Sequence, residues 1–227
     1  LTSEDVAVLG RFAKASGVAL YLQPGNLETV HPLYPEEGLE LIYRHAGYDI
    51  EMIFKPTDFI QVNGSINEAL ITQVCETLAP QPNETVLDLF CGMGNFTLPL
   101  ARSGAKVSGV EGDRGLIARA NLNAKHNGLD NIVFHIGDLF AEDAEYAWTG
   151  QSYHKMLLDP PRSGALEMCK RMHEFAPKRI VYVSCNPATL ARDADVLVNT
   201  HGYTLKQVGV VDMFPHTAHV ESIAVFE

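Results

Sequence analysis

The chain has 227 residues, 46% of them hydrophobic, and a formal net charge of −11 at pH 7. This length and composition can fill a substantial core and predict a soluble globular protein. The negative net charge argues against non-specific electrostatic binding of nucleic acid, because such binding depends on lysines and arginines that neutralise phosphates. No run approaches the roughly 18 apolar residues of a membrane span, and the first residues have no signal-peptide pattern. We therefore expect a cytoplasmic location.

The cysteines form no CxxC pair and no framework typical of small secreted domains. They are Cys75, Cys91, Cys169 and Cys185. We expect reduced thiols and no structural zinc or iron–sulfur site.

Basic residues are concentrated between positions 155 and 179. This stretch carries Lys155, Arg162, Lys170, Arg171, Lys178 and Arg179 against Asp159, Glu167 and Glu174. A solvated helix face is the default interpretation of Lys170 and Arg171.

The first 56 residues predict the end of a smaller α/β module. We expect a helix over residues 2–16, which Gly17 ends, and short strands over residues 18–23, 39–44 and 49–55. Residues 24–26 and 32–38 are predicted loops because of their prolines and glycines.

From about residue 57 strands and helices alternate regularly. The pattern predicts helices over residues 65–78, 96–103, 114–127, 165–175 and 188–199, and strands over residues 85–89, 106–111, 132–135, 155–158 and 179–183. Ser65 and Glu68 have the spacing of a capping box. Residues 203–213 and 219–226 are strand-like with a short link, so we expect them to pair antiparallel. The prediction is an α/β fold with a doubly wound, mostly parallel sheet and a catalytic domain over residues 57–227.

The loop after the strand at 85–89 carries an acid followed by two glycines. Asp88 precedes Gly92 and Gly94, and Glu111 ends the next strand, where a carboxylate can bind ribose hydroxyls. Thr97 stands where a dinucleotide fingerprint has its third glycine. With Asp88 just before it, the loop resembles the methyl-donor loop of class I methyltransferases more than a nicotinamide dinucleotide motif; an ordinary tight turn is the alternative.

Three further strand ends carry unusual residues. Asp138 follows one strand and is interpreted either as a polar group close to the adenine of a cofactor or as a helix cap. Asp159 precedes two prolines, and this pattern indicates either a rigid turn or a site that methylates a base. Cys185 lies at a strand-to-helix turn, where the partial positive charge of the helix favours a thiolate nucleophile. A small buried hydrophobe is the alternative for Cys185. In a doubly wound sheet these ends border one crevice.

Taken in order, four motifs resemble those of the RNA uracil-5 methyltransferases. They are residues 88–96 (DLFCGMGNF), 159–162 (DPPR), 184–190 (SCNPATL) and 212–217 (DMFPHT). The resemblance covers nearly all of residues 57–227. The residues in these motifs are more similar to those of the ribosomal-RNA branch, the RumA-like enzymes, than to those of the transfer-RNA branch. The branch's iron–sulfur cysteine cluster and N-terminal RNA-binding domain have no counterpart in these residues.

The resemblance implies a class I methyltransferase that uses S-adenosylmethionine and acts on RNA, here 23S ribosomal RNA, as a monomer. It implies an S-adenosylmethionine site lined by Gln61, Phe90, Asn95, Glu111, Asp138 and Asp159. It also implies that Cys185 is the nucleophile and Glu221 the base, with Asp159 beside them. An exposed strand residue is the alternative interpretation of Glu221.

Methylation of uracil requires an activated carbon 5, since that carbon is a poor nucleophile. A thiolate that adds to carbon 6 makes carbon 5 enolate-like, and a carboxylate then removes the surplus proton. Phe59 or Phe214 offers a stacking surface for the extruded base. His216 and His219 suit phosphate contact or loop packing better than metal binding. Transfer-RNA methylation, amine methylation and a silent RNA-binding module remain alternatives.

Overall fold

The computed structural model describes residues 1–142 and 145–227. It divides into two compact units, one of residues 1–43 and 52–60 and one of residues 44–51 and 61–227. None of the helices in the described residues has the length and apolar character to cross a bilayer.

The first unit begins with helix α1 (Ser3–Ser16), which Thr2 and Asp5 cap reciprocally and Gly17 ends in a left-handed conformation. Strands β1 (Leu20–Leu22) and β2 (His31–Tyr34) then pair antiparallel. Strand β2 lies partly in a segment predicted as a loop because of Pro32. Proline is compatible with an edge strand, and both strands of a two-stranded sheet are edges.

A second two-stranded sheet pairs β3 (Leu41–His45) with β4 (Ile50–Phe54). The turn that joins these strands groups with the second unit.

The remaining elements belong to the second unit. Its helices are α2 (Gly64–Leu78), α3 (Thr97–Ala101), α4 (Arg114–His126), α5 (Leu166–Lys170), α6 (Met172–Phe175) and α7 (Pro187–Asp195), and its strands are β5 (Thr85–Leu89), β6 (Lys106–Glu111), β7 (Ile132–Ile136), β8 (Lys155–Leu158), β9 (Arg179–Ser184), β10 (Leu205–Val211) and β11 (Glu221–Phe226). Two of these helices replace the single one predicted over residues 165–175.

Among the described residues, seven strands form one sheet in the order β10-β11-β9-β8-β5-β6-β7. The strands from β9 to β7 run parallel, whereas β11 lies antiparallel between β9 and β10. The order reverses at β5, which has β6 on one side and β8 on the other. Ligands of such sheets bind at this switch point, beyond the carboxyl ends of the strands. The predicted fold class is confirmed.

Side chains that alternate along the strands build a core on each face of the sheet. Leu87 and Leu89 face one cluster together with Tyr182, and Val86 and Val181 face the other. This alternation follows from the period of two in a strand. Because both faces of the sheet are covered, the central strands are nearly continuous runs of hydrophobic residues, as is typical of a parallel sheet.

The start of α2 differs from the prediction. Asn63, rather than Ser65, is the N-cap, and its side chain accepts a hydrogen bond from Ile66 N at 3.4 Å. Glu68 instead accepts a hydrogen bond from the backbone of Gly47 at 2.5 Å. A tertiary partner has therefore replaced the local capping box.

Candidate active site

The loop after β5 turns sharply at the switch point. Phe90, Gly92 and Gly94 have φ values of 66°, 54° and 101°, and a Cβ added to Gly94 would lie 3.0 Å from the side chain of Leu98. Such angles favour glycine and are strained for Phe90. The glycines therefore let the backbone pass close to whatever occupies the crevice.

Asp88 lies buried beneath this loop. Its Oδ2 accepts a hydrogen bond from the Thr97 hydroxyl at 2.5 Å, while its Oδ1 has no hydrogen-bond partner among the described residues. Burial raises the pKa of Asp88 to about 7, and the Thr97 hydrogen bond opposes that rise. Thr97, which stands where a dinucleotide motif has glycine, is thus the partner of the acid.

Glu111 ties the loop to the end of β6. Its Oε2 accepts a hydrogen bond from Gly92 N at 3.2 Å, and its Oε1 accepts from Gly112 N and Asp113 N at 2.7 and 3.1 Å. The carboxylate is held by backbone donors at the rim of the crevice, and its binding of ribose hydroxyls stays a prediction.

A cavity of about 510 Å³ lies beside Glu111. Its lining includes the predicted residues Phe90, Glu111 and Asp138, with Arg114, Phe140 and Tyr146 in addition. The Phe90 and Phe140 rings lie 5.6 Å apart. Sequence reasoning missed Arg114, Phe140 and Tyr146 because no local motif marks them.

Asp138 does not cap a helix. Its Oδ1 accepts a hydrogen bond from Phe140 N at 3.0 Å, and its own backbone N donates to the Tyr146 hydroxyl at 2.9 Å. Both contacts fix the turn that borders the cavity, so the interpretation as a helix cap is wrong.

Gln61 and Asn95 are not among the residues that line this cavity. Asn95 exchanges two amide hydrogen bonds with Asn67 on α2, at 2.9 and 3.1 Å. The Gln61 Oε1 is buried without a hydrogen-bond partner among the described residues. Close to Gln61 in the chain, Asn63 donates to Met213 O at 3.2 Å, which links this segment to the loop at 212–217.

The β9–β11 pairing brings Cys185 and Glu221 together. Ser222 pairs with Ser184 in antiparallel register. Glu221 precedes Ser222 and Cys185 follows Ser184, so these two residues are neighbours where β9 ends and β11 begins. Glu221 is 6% exposed, which rules out an exposed strand residue. Cys185 is only partly buried, which rules out the fully buried hydrophobe.

These acids and the thiol interact electrostatically. Burial raises the pKa of Glu221, and burial together with the charges of Asp88 and Glu221 raises that of Asp159 well above its usual range. Burial, then Glu221 and Asp159, raise the pKa of Cys185, while Arg162 opposes them.

The thiolate expected at Cys185 is therefore not favoured in this state. The side chain of Asn186 accepts the hydrogen bond of Ala188 N at 3.2 Å, so one first-turn amide of α7 is already used. Burial and the two neighbouring carboxyl groups raise the pKa of the thiol, which is opposite to the effect expected of a helix N-terminus.

Arg162 Nη1 donates to His219 Nδ1 at 3.0 Å, and His219 lies edge-on to Phe214 with ring centroids 5.9 Å apart. No group of three or more potential metal ligands is found in the described residues. His219 contacts Phe214 in its own loop and Arg162 in the loop after β8. Phe59 is exposed in the first unit.

Most of the basic stretch is paired with acids. The partners lie within 3.0 Å in Lys155–Glu84, Lys170–Glu167, Arg171–Glu174 and Arg179–Glu227. The Lys170 side chain is 50% exposed, in agreement with the solvated helix face expected for it, whereas the Arg171 side chain is only 11% exposed, so that interpretation is wrong for Arg171.

A doubly wound sheet with a glycine loop after β5 and a carboxylate at the end of β6 defines the class: a class I methyltransferase fold. Within this class, the chain belongs to the tRNA (uracil-5-)-methyltransferase family, whose sequence profile matches residues 34–227. The family predicted from the four motifs is confirmed.

Curated relatives are identical to the chain at about half of the aligned positions. A 23S rRNA (uracil(1939)-C(5))-methyltransferase RlmD of Xanthomonas campestris pv. campestris is 53% identical over 227 residues, and one of Methylococcus capsulatus is 54% identical over 226 residues. Each alignment covers 100% of this chain and 51% of the relative. The chain therefore spans about half the length of the curated relatives it matches.

Solved structures share the fold. A Pyrococcus abyssi tRNA (uracil-54, C5)-methyltransferase in complex with S-adenosyl-L-homocysteine superposes with a TM-score of 0.74 at 29% identity, covering 92% of this chain and 50% of that one. Trm5b of the same organism superposes with a TM-score of 0.66 at 18% identity, covering 99% and 68%. The second likeness concerns the fold alone.

Proposed function

We propose that the protein transfers a methyl group from S-adenosylmethionine to carbon 5 of a uridine in 23S ribosomal RNA, through a covalent cysteine adduct. The observation that carries this proposal is the pairing register that sets Cys185 beside Glu221 at the crevice. The names of relatives 53–54% identical to the chain support the choice of RNA. We assign the catalytic domain to residues 57–227 and the end of a separate module to residues 1–56.

The cavity beside Glu111 suits the adenosyl part of the cofactor. Its volume of about 510 Å³ lies in the range of small-molecule pockets. In this proposal Glu111 binds the ribose hydroxyls, Phe90 contacts the adenine, and Asp138 provides a polar group beside it. The unpartnered Gln61 Oε1 is free to accept a hydrogen bond from the cofactor, and Asn95 and Asp159 complete the set.

Cys185 opens the reaction. Its thiol gives its proton to solvent, and the sulfur bonds to carbon 6 while the electrons of the 5,6 double bond move towards the carbonyl at carbon 4. Burial raises the pKa of Asp159 well above its usual range, which favours the protonated form, and that form donates a hydrogen bond to the oxygen on which charge develops. Bound S-adenosylmethionine supplies the electrophilic methyl group that carbon 5 takes up.

Glu221 closes the reaction. Its carboxylate removes the surplus proton from carbon 5, and the electrons of that C–H bond restore the double bond as the carbon–sulfur bond breaks. Burial raises the pKa of Glu221, which strengthens it as a base. The thiolate of Cys185 leaves, so the enzyme is restored.

Cofactor binding is expected to change the fluorescence of Trp148. It is the chain's single tryptophan, and its ring stacks on Tyr146 at 5.5 Å and 9°, next to the cavity. Titration with S-adenosylmethionine or S-adenosylhomocysteine measures the affinity. Glu111→Gln should weaken it roughly 10- to 100-fold, since hydrogen bonds to a charged group are lost.

Glu84→Gln is the matched control, because its carboxylate pairs with Lys155 at 2.6 Å before β5, at the opposite end of the strand. It should keep the wild-type affinity. A preference for a nicotinamide dinucleotide would contradict the cofactor assignment. Absence of any cofactor binding would favour the silent RNA-binding module.

Substrate choice is tested with the full-length protein. We expect a fragment of large-subunit ribosomal RNA to accept methyl groups faster than transfer RNA, since relatives named for 23S rRNA are 53–54% identical and the transfer-RNA enzyme is 29% identical. Tritium transfer from labelled cofactor to each RNA measures this. Equal or faster methylation of transfer RNA would reverse the assignment.

A further inference from the structure

A buried carboxylate behind the Cys185 turn is bonded to groups from three parts of the chain. Asp193 on α7 is 0% exposed. Its Oδ2 accepts hydrogen bonds from the Tyr182 hydroxyl at 2.6 Å and from Ala165 N at 2.7 Å, and its Oδ1 accepts one from Arg192 Nε at 2.8 Å. Since a buried carboxylate without partners is costly, these groups hold one arrangement.

The same side of α7 binds the loop that follows Asp159 at successive residues. Arg162 O accepts a hydrogen bond from Asn186 Nδ2 at 3.0 Å, and Ser163 O accepts one from Arg192 Nη2 at 2.9 Å. With the bond from Ala165 N to Asp193, residues 162–165 are held along their backbone.

Gly164 shows how closely this loop approaches the carboxylate. Its φ is +77°, and a Cβ at this position would lie 2.6 Å from Asp193 Oδ2 and 2.7 Å from Arg192 Nη2. A side chain there would push the loop away. The glycine is therefore required for the contact between the loop and Asp193.

Tyr182 connects this cluster to the strand that carries the nucleophile. It lies on β9, which ends at Ser184 directly before Cys185. Burial and the hydrogen bond to Asp193 raise the pKa of Tyr182, so its phenol stays neutral and continues to donate. The strand before Cys185 and the helix after it thus hold the same loop.

We infer that Tyr182 and Asp193 are positioning residues, which fix residues 162–165 so that Asp159 and Arg162 face Cys185 in a single arrangement. Neither side chain has a role in the chemistry proposed above. The inference rests on the proposed function. A shift of about 1 Å in reacting groups can cost roughly 10²-fold in rate, so loss of either anchor should act on the chemical step.

The test compares Tyr182→Phe and Asp193→Asn in the full-length protein. We expect kcat for RNA methylation to fall about 10- to 100-fold in both, with a much smaller change in the KM for S-adenosylmethionine, since Asp159 is only one of the residues assigned to the cofactor. The rate of covalent adduct formation with 5-fluorouridine-containing RNA should fall by the same factor. Tyr182→Phe keeps the buried ring, so it reports on the hydroxyl even where Asp193→Asn fails to fold.

Tyr203→Phe is the matched control. Its ring packs against the same core cluster as Tyr182. Its hydroxyl donates to Pro177 O at 2.7 Å, and Pro177 precedes the start of β9, at the end of that strand remote from Cys185. It should keep the wild-type kcat. A wild-type kcat in Tyr182→Phe, an equal loss in Tyr203→Phe, or a parallel loss of cofactor affinity would overturn the inference. Failure of the proposed function differs, because the wild type itself would then form no adduct and methylate no RNA.

Discussion

Cys185→Ala should abolish both methyl transfer to RNA and any covalent protein–RNA species. Without the sulfur, carbon 5 of uracil is never activated, and the loss should exceed about 10⁴-fold, as for other covalent nucleophiles. Cofactor binding, measured through Trp148, should persist because Cys185 is not among the cavity residues. Denaturing electrophoresis with labelled methyl donor and 5-fluorouridine-containing RNA measures both quantities.

Cys75→Ala is the matched control. Cys75 lies on α2, and burial raises the pKa of its thiol to about 11, so it should not react. Turnover by Cys185→Ala would show that the nucleophile is misassigned. It would favour an enzyme that methylates an amine, which needs no cysteine.

The pH dependence of the adduct follows from the charges around the thiol. Since burial, Glu221 and Asp159 raise the pKa of Cys185, the thiolate is the minor form near neutral pH. Below that raised pKa its fraction grows about tenfold per pH unit. The rate of adduct formation by the wild type should therefore rise with pH through the neutral range, and a rate that falls with pH would contradict this.

Glu221→Gln should accumulate a covalent protein–RNA species with ordinary uridine. The variant can still add the thiol and transfer the methyl group, because both steps precede removal of the proton from carbon 5. Release should slow by about 10²–10⁴-fold, the usual contribution of a general base. A band that carries the labelled methyl group and survives denaturation is the expected signal.

Glu84→Gln again serves as the control glutamate, since its ion pair with Lys155 lies at the other end of the strands. It should release product at the wild-type rate. Rapid release by Glu221→Gln would assign the base elsewhere. Failure to form any adduct would instead place Glu221 before methyl transfer, for instance in deprotonating Cys185.

The order of the elements was predictable from local patterns. Alternating strands and helices predicted the doubly wound sheet, and the short link before β11 predicted its antiparallel direction; both agree with the structure. Element ends were predicted less well. Asn63 caps α2 in place of Ser65, because Glu68 has a tertiary partner in Gly47 that no local pattern reveals.

Part of the candidate site was also predictable. Gly92, Gly94 and Glu111 were identified by residue type and by their position at or just after strand ends. Glu111 lines the cavity, and Gly92 N donates a hydrogen bond to it. Arg114, Phe140 and Tyr146 line the same cavity without any motif, since only the packing of separate segments brings them there. The sequence predicted a thiolate at Cys185 because the helix that follows it is local. The raised pKa was missed for a similar reason, since one of its causes, Glu221, is 36 positions away in the chain.

By itself the sequence determined the fold class and the family, because periodicity, glycine placement and the residues of each motif are local properties of the chain; the catalytic roles of Cys185 and Glu221 stay predictions. Only the tertiary structure decided that Glu221 is buried next to Cys185, that Thr97 is the partner of Asp88, and that the Tyr182–Asp193 cluster holds the loop after Asp159. These features depend on strand register and on desolvation, which arise when distant segments pack together and remove polar groups from water.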